Sequence, residues 1–537
     1  MSTEGNNPWD FARPKFKTNL RVRPQGEEEK GDTAGEKRNR KNRKPDPSSP
    51  ERNARLYSSG ENQDGITGSK EDFAAIEAKV AAITSGRLLA WRALQLFEHG
   101  NDFLQDILSD LDRHHQLSSG ERGQAVDLSS GVVRRRRTID AVIAKQLTRP
   151  RHNVENDLWR VLQLGVYQIL FAATPDHAAV DSSVKLCRQL NRERWTKFVN
   201  GVLRGIARMV ADNVETESNE QMPPDAAFIP VSPGYWVQMT QPVLTDPSQN
   251  LAEWFGDAFS LPSALAVRWT GRMSMEELMA AGFHSLYPAS LSVRINKRQA
   301  TVDTVREALT GHCIVEEGHS AGTLRISSTG RVEQLPGFMD GDWSIQDASA
   351  TAAAELAAPR PGESILDLCA APGGKTCHLA ELTDDKAMIT ACDISGSRLE
   401  RIRQNTERLN IRNVQLCLVA KDGTNLPDGP FDLILVDVPC SNTGVLGRRP
   451  EARWRFSTED LAELVTLQTR LLIQACERIA PAGRIVYSTC SIEAEENRRV
   501  VDAVLQAFPA IRLERDQQFL PGRPSDGAYQ ALLVSHR

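Results

Sequence analysis

The chain has 537 residues with a formal net charge of −5, and 40% hydrophobic with 25% charged residues suits a folded protein of roughly three domains. The opening MSTEGNNPWD lacks the basic-then-apolar pattern of a secretory signal, and the longest apolar run, residues 161–173, is too short to span a bilayer. Nine cysteines without regular spacing argue against a disulfide scaffold, so a cytoplasmic protein with reduced thiols is expected; a monomer is expected as well. Charge is uneven along the chain. Residues 1–212 carry 35 Lys and Arg against 28 Asp and Glu, whereas residues 213–537 carry 30 against 42. A polyanion should therefore be gripped mainly through the front of the chain.

Residues 1–71 are charged and nearly free of apolar periodicity, the composition of a disordered tail. Within them KRNRKNRK (37–44) is a basic run able to touch RNA. From residue 72 a helical stripe appears: Ile76, Val80, Ile83, Leu88, Trp91 and Leu94. The segment LWRVLQLGVYQILFA (158–172) is apolar nearly all round and reads as the central helix of a bundle, which VNGVLRGIARMV (199–210) closes. This gives an all-α domain over 72–212, with Arg87, Arg92 and the run Arg134, Arg135, Arg136, Arg137 as basic features, of which Arg87, Arg92, Arg134 and Arg135 are candidate RNA contacts. Residues 213–259, rich in Glu, Asn, Pro and Gln, read as a linker or insertion. A small α+β unit follows over 260–345, where LSVRIN (291–296) alternates like a strand.

Residues 346–537 alternate strand and helix. The strands are ESILDLC (363–369), AMITACD (387–393), VQLCLVA (414–420), FDLILVD (431–437) and RIVYSTC (484–490), and two more fall near IRLERD and AYQALLVSH. Ser457 should cap the longest intervening helix, and Pro481 with Gly483 should end it. The pattern predicts a parallel doubly wound sheet.

The first of these strands runs into DLCAAPGGKT. A phosphate-binding P-loop needs glycine where Cys369 stands, and no G-x-G-x-x-G is present, so neither nucleotide motif survives. What remains is a glycine turn, with Asp393 ending the second strand, Asp422 following the third and Asp437 ending the fourth. Acids at these strand ends converge on the crevice outside the carboxyl edge of the sheet, and one at strand two suits a ribose diol. A ligand carrying adenosine without phosphates fits best, and S-adenosylmethionine leads.

Two strands end in cysteine: Cys440 in Pro-Cys-Ser and Cys490 in Thr-Cys-Ser. Cys187, Cys313, Cys392, Cys417 and Cys476 lie inside periodic segments and read as small buried hydrophobes. No CxxC pair or nearby His completes a zinc set, so no metal is expected. Neighbouring strand ends would place both thiols in one crevice beside a methyl donor. C5 of cytosine is a poor nucleophile until a thiolate adds to C6, so such a pair suits methylation at C5. The base must leave its stack to reach them.

DLCAAPGGKT, DVPCSNTGV and YSTCSIEAEEN resemble the signatures of the RNA cytosine-C5 methyltransferases of the Sun (Fmu) family, and LPGF (335–338) and QDASA (346–350) resemble stretches that precede the catalytic core there. GVYQILF, PDHAAV and NGVLR resemble a NusB-type RNA-binding domain. Together they resemble the bacterial 16S ribosomal RNA branch of that family. The resemblance implies a NusB-like all-α bundle, a small α+β subdomain and an α/β Rossmann-like methyltransferase core, acting on 16S rRNA, free or in an assembling small subunit. It implies Cys490 as nucleophile and Cys440 as the residue assisting release. It also implies a cofactor loop of Cys369, Ala370, Ala371, Pro372, Gly373, Gly374 and Lys375. Asp393 would hold the ribose, Asp422 the adenine side, and Asp437 the methionine end or the target base. Arg448, Arg449, Arg453 and Arg455 are expected to contact RNA. Methylation of transfer RNA, or a non-catalytic RNA-binding factor, are the alternatives; the NusB-like domain disfavours the first and the intact motifs the second.

Overall fold

Side-chain caps start the first helices: Ser85 accepts the Leu88 N–H ahead of Gly86–His99, and Ser118 with Glu121 forms a capping box ahead of Ser119–Gln146. The computed structural model describes residues 83–100, 102–115, 117–172, 174–216, 223–287, 290–327, 331–421, 423–522 and 525–536. The expected tail over 1–71 and Asp422 lie outside the described residues. In the helix Asn156–Leu170, Val161, Leu162, Leu164 and Val166 are wholly buried. It packs against the helices Ser119–Gln146, Asp176–Gln189 and Thr196–Met209, as its all-round apolar character demands.

Of the linker or insertion expected over 213–259, the described residues are folded. Strands β1 (Val210–Glu215), β2 (Phe228–Ser232) and β3 (Tyr235–Met239) form an antiparallel sheet in the order β1-β3-β2, and the helix Leu251–Phe259 follows. Trp236, Trp254, Phe255 and Phe259 are buried there. These aromatics are too sparse to make a period in a polar stretch, yet each is large enough to anchor a short element. Arg137 ties the segment down, donating from Nε to Asp257 at 2.7 Å and from Nη1 to the Leu261 carbonyl at 2.8 Å, beside Glu253. One hydrophobic core runs from Ile83 to Leu286, across the borders expected at 212 and 260.

A second sheet, in the order β5-β6-β4-β7, contains β4 (Leu291–Ile295), β5 (Ile314–Glu317), β6 (Thr323–Ser327) and β7 (Trp343–Ile345) around its own core at Trp343. The third sheet has seven strands in the order β10-β9-β8-β11-β12-β14-β13. They are β8 (Ser364–Asp367), β9 (Met388–Asp393), β10 (Val414–Leu418), β11 (Phe431–Asp437), β12 (Ile479–Thr489), β13 (Ile511–Phe519) and β14 (Ala528–Ser535). Apolar cores cover both faces, as strands with near-continuous apolar runs require. The sheet is not wholly parallel: β14 runs antiparallel to β12 and β13. Only a short connection separates β13 from β14, and a parallel return needs a crossover of a dozen or more residues. β8 and β11 are adjacent, and the strand order reverses between β8–β9–β10 and β11–β12. That reversal opens a crevice at the carboxyl edge.

Candidate active site

Register sets the crevice. Leu435 pairs with Asp367 and Asp437 with Ser488, so β8, β11 and β12 end at neighbouring levels. The chain after β8 turns through Cys369–Lys375 into the helix Gly374–Leu382. Gly373 sits at φ +99°, a left-handed conformation that glycine adopts without strain, and a Cβ there would lie 3.2 Å from Ile402. Ala370 N–H bonds the Cys392 carbonyl at 2.9 Å, fixing the loop against β9. Asp393, at the end of β9, is buried, accepts the Ser395 N–H at 3.0 Å and lies 3.4 Å from the exposed Arg398 guanidinium.

Three carboxylates crowd this edge. Burial raises Asp367 to about 7, opposed by the Thr376 hydroxyl 2.7 Å away and aided by the charge of Asp437. Its Oδ1 is buried without a hydrogen-bond partner. The Cys369 thiol is pushed far up by burial and by the charges of Asp367, Asp437 and Asp393. Lys375 Nζ bonds Asp437 Oδ2 at 2.6 Å; burial opposes its charge, but Asp437, with Cys490 and Asp367, more than offsets this and its pKa is raised. A crevice lined by three acidic side chains, one with a buried oxygen left without a hydrogen-bond partner, suits a cationic ligand and disfavours a polyphosphate.

The two thiols meet. Cys440 Sγ and Cys490 Sγ are 3.0 Å apart, and Cys490 Sγ donates to Asn442 Oδ1 at 3.2 Å. With the Cys490 proton directed at Asn442, Cys440 is the donor of the pair. The hydrogen bond to Cys490, then burial, holds the Cys440 pKa well above that of an ordinary thiol. Cys440 is buried, while Cys490 is partly exposed. Two loops keep this geometry. Gly444 N–H bonds the Cys490 carbonyl at 3.0 Å, and Gly527 N–H bonds the Gly444 carbonyl at 2.8 Å. A Cβ on Gly444 would meet the backbone carbonyl oxygen of Gly527 at 2.1 Å, so only glycine fits.

Buried carboxylates that sequence reading passed over do much of the positioning. Glu496 accepts the Ser441 N–H at 2.8 Å, the Ser441 hydroxyl at 2.5 Å and Gln468 Nε2 at 2.9 Å. Glu493 receives Arg268 at 2.7 Å, Arg272 at 2.8 Å and Trp269 Nε1 at 3.1 Å, tying the Cys490 loop to the helix Ser263–Thr270. Both stand in EAEEN, which reads as a solvated turn; only the tertiary fold buries them.

Against this geometry the comparisons are decisive. A model of the 16S rRNA methyltransferase RsmB/F family matches residues 354–528, and a NusB family model matches residues 84–208. The Synechocystis protein named "Probable ribosomal RNA small subunit methyltransferase B" is 32% identical over 79% of this chain and 89% of its own length. The Salmonella typhi ribosomal RNA small subunit methyltransferase B is 30% identical over 83% of this chain and 98% of its own length. The chain belongs to the ribosomal RNA small subunit methyltransferase B family. The crystal structure of PH0851, 22% identical, covers 85% of this chain and 100% of its own, with a TM-score of 0.65, and so shares the fold.

Within this family member the expected RNA arginines separate into two groups. Arg453 is wholly buried and donates to the carbonyls of Arg134, Phe259, Ser260, Ser285, Leu446 and Pro450. Arg135 is buried on the carbonyls of Pro230 and Val231, and Arg134 on that of Gly447. Arg92 is buried beside Gln95, and Arg448 is held by Asp526 and Asp347. These five engage partners inside the protein: backbone carbonyls for Arg134, Arg135 and Arg453, the Gln95 amide for Arg92, and two aspartates for Arg448. A sequence reader sees the arginine but not the carbonyls that consume it. Arg87 is partly buried with Nη2 on Gln168. Arg449 is exposed and Arg455 partly so, and both stand at the junction with the helical domain.

Proposed function

We propose that this family member transfers a methyl group from S-adenosylmethionine to C5 of a cytosine in small-subunit rRNA, with Cys490 as nucleophile and Cys440 aiding release. The observation that carries this reading is the 3.0 Å pair of thiols beside the Lys375–Asp437 ion pair at the carboxyl edge of the sheet. One strand-end thiol would serve a nucleophile; a second that keeps its proton serves departure.

The crevice fits the proposed cofactor. Asp393 offers a carboxylate for the ribose, and the exposed Ile394 and Leu418 beside it offer an apolar bed for adenine. Asp367 Oδ1 and the acidic surroundings suit a sulfonium and an ammonium. The relatives' assignment to ribosomal RNA supports the substrate class. S-adenosylmethionine, when bound there, would supply an electrophilic methyl group, its S–CH3 bond breaking with the pair left on sulfur and the thioether S-adenosylhomocysteine departing. The Cys490 thiolate adds to C6 of the extruded base and pushes its electrons onto C5, where the new C–C bond forms. Lys375, fixed by Asp437, places a positive charge close enough to interact with Cys490. After C5 gives up its proton to water, the C6–S bond breaks and restores the Cys490 thiolate. Cys440, still protonated, donates a hydrogen bond to that departing sulfur.

Bisulfite sequencing of small-subunit rRNA from a deletion strain tests the reading. One cytosine should lose its protection, regain it with the wild-type gene, and stay unprotected with Cys490→Ala. Protection that persists in the deletion strain, or returns with Cys490→Ala, would contradict it.

A further inference from the structure

Phe103 is 39% exposed at the turn before the helix Leu104–His115, within the helical domain. Two guanidiniums from the catalytic domain lie over its ring: Arg455 Cζ at 4.7 Å and Arg449 Cζ at 5.6 Å from the centroid. Arg455 Nη2 also donates to the Asp102 carbonyl at 2.6 Å, which fixes the turn that presents the ring. Arg449 Nη1 donates to Asn442 Oδ1 at 3.3 Å, the same oxygen that receives the Cys490 thiol. End to end these contacts bridge no more than about 13 Å from ring to thiol.

We infer that Phe103, with Arg449 and Arg455, forms a stacking site for an unpaired nucleobase of the RNA substrate, flanking the cytosine presented to Cys490. An exposed aromatic ring with guanidiniums over it is the chemistry that holds splayed bases of a single strand: a base stacks on the exposed part of the ring and on the guanidinium planes, and the cations meet its phosphates. A reacting base must leave its neighbours, and a fixed platform within one or two nucleotides of the thiol gives a neighbour somewhere to stack. The site spans two domains, which explains why an exposed aromatic of the helical domain is held against a loop of the catalytic one. Phe103 carries no sequence motif, and only the fold brings it to Arg449. The inference rests on Cys490 being the reacting residue.

The test is steady-state methyl transfer by the full chain to an in vitro transcript of small-subunit rRNA, comparing Phe103→Ala, Phe103→Leu and Phe103→Trp. Loss of one stacked base should raise KM for RNA about ten-fold in the alanine variant, with a much smaller change in kcat. Trp should restore KM. Leu, which keeps apolar area but no π face, should not. An unchanged KM in Phe103→Ala, or full rescue by Leu, would overturn the stacking site. Nucleoside analysis of the wild-type product separates this from the chemistry: a product other than 5-methylcytosine would sink the C5 reading, whatever KM does.

Discussion

At the scale of single residues, proton placement governs the site. Cys440 holds its proton because its S–H bonds Cys490 and because it is buried, while Cys490 directs its own S–H at Asn442. Removing the Cys490 thiol should cost at least about a thousand-fold in kcat, the scale of losing a nucleophile. A second expectation concerns Asp367. Its folded pKa, about 7, lies above the usual carboxylate value, so between about pH 4 and pH 7 the folded state binds a proton that the unfolded state has released. Stability must therefore fall as pH rises through that window, by at most about 1.4 kcal/mol per pH unit from this group. Thermal melts at pH 5 and pH 8 should show a smaller drop for Asp367→Asn than for the wild type; an equal drop would mean that Asp367 is already ionised. Cys440 and Cys490 were legible as candidates because strand ends carry their own signature, an apolar run that stops at Asp or Cys; Asp367 was not singled out. The sequence did not disclose Glu493 or Glu496, whose acid-rich surroundings look solvated until the helices Ser263–Thr270 and Thr458–Arg478 close over them.

At the scale of elements, two loops hold the thiols at contact distance. Glu496 is the tie between them, since its carboxylate accepts from Ser441 next to Cys440 while its own backbone lies six residues after Cys490. Glu496→Ala would leave the Ser441 N–H and Gln468 Nε2 without this acceptor in a buried place, a loss of about 2–4 kcal/mol. Denaturant unfolding should report that loss, and Glu496→Gln, which keeps one acceptor oxygen, should recover part of it. A change within about 0.5 kcal/mol, the scale of an ordinary surface substitution, would mean the loops are held by other contacts. Elements with a clear period were legible from sequence: the Ser457-capped helix, the central apolar helix and five parallel strands lie where expected. β1–β3 were not, because strands of five or six residues containing Pro230 and spaced by polar turns offer too few alternations to count.

At the scale of the whole molecule, the helical domain is built into the catalytic one. Arg453 and Trp454 from the loop after Cys440 reach the carbonyls of Arg134 and Val133, and Arg134 reaches back to Gly447. A chain lacking residues 1–212 would leave the guanidinium of Arg453 without one of its carbonyl partners and the Cys440 loop without its backing. Such a truncation should lower kcat even at saturating RNA, in addition to weakening binding. If only KM rose, the helical domain would be a tether and the Arg453 network dispensable. Charge counting could not separate these roles, because it treats a buried arginine and an exposed one alike.

The most direct measurement is denaturing gel electrophoresis of enzyme incubated with labelled small-subunit rRNA and S-adenosylmethionine. If Cys490 attacks and Cys440 assists departure, Cys440→Ala accumulates a protein–RNA adduct that survives denaturation, and Cys490→Ala and the double substitution give none. An adduct that persists in the double substitution, or forms with Cys490→Ala alone, would contradict the assignment of the two thiols.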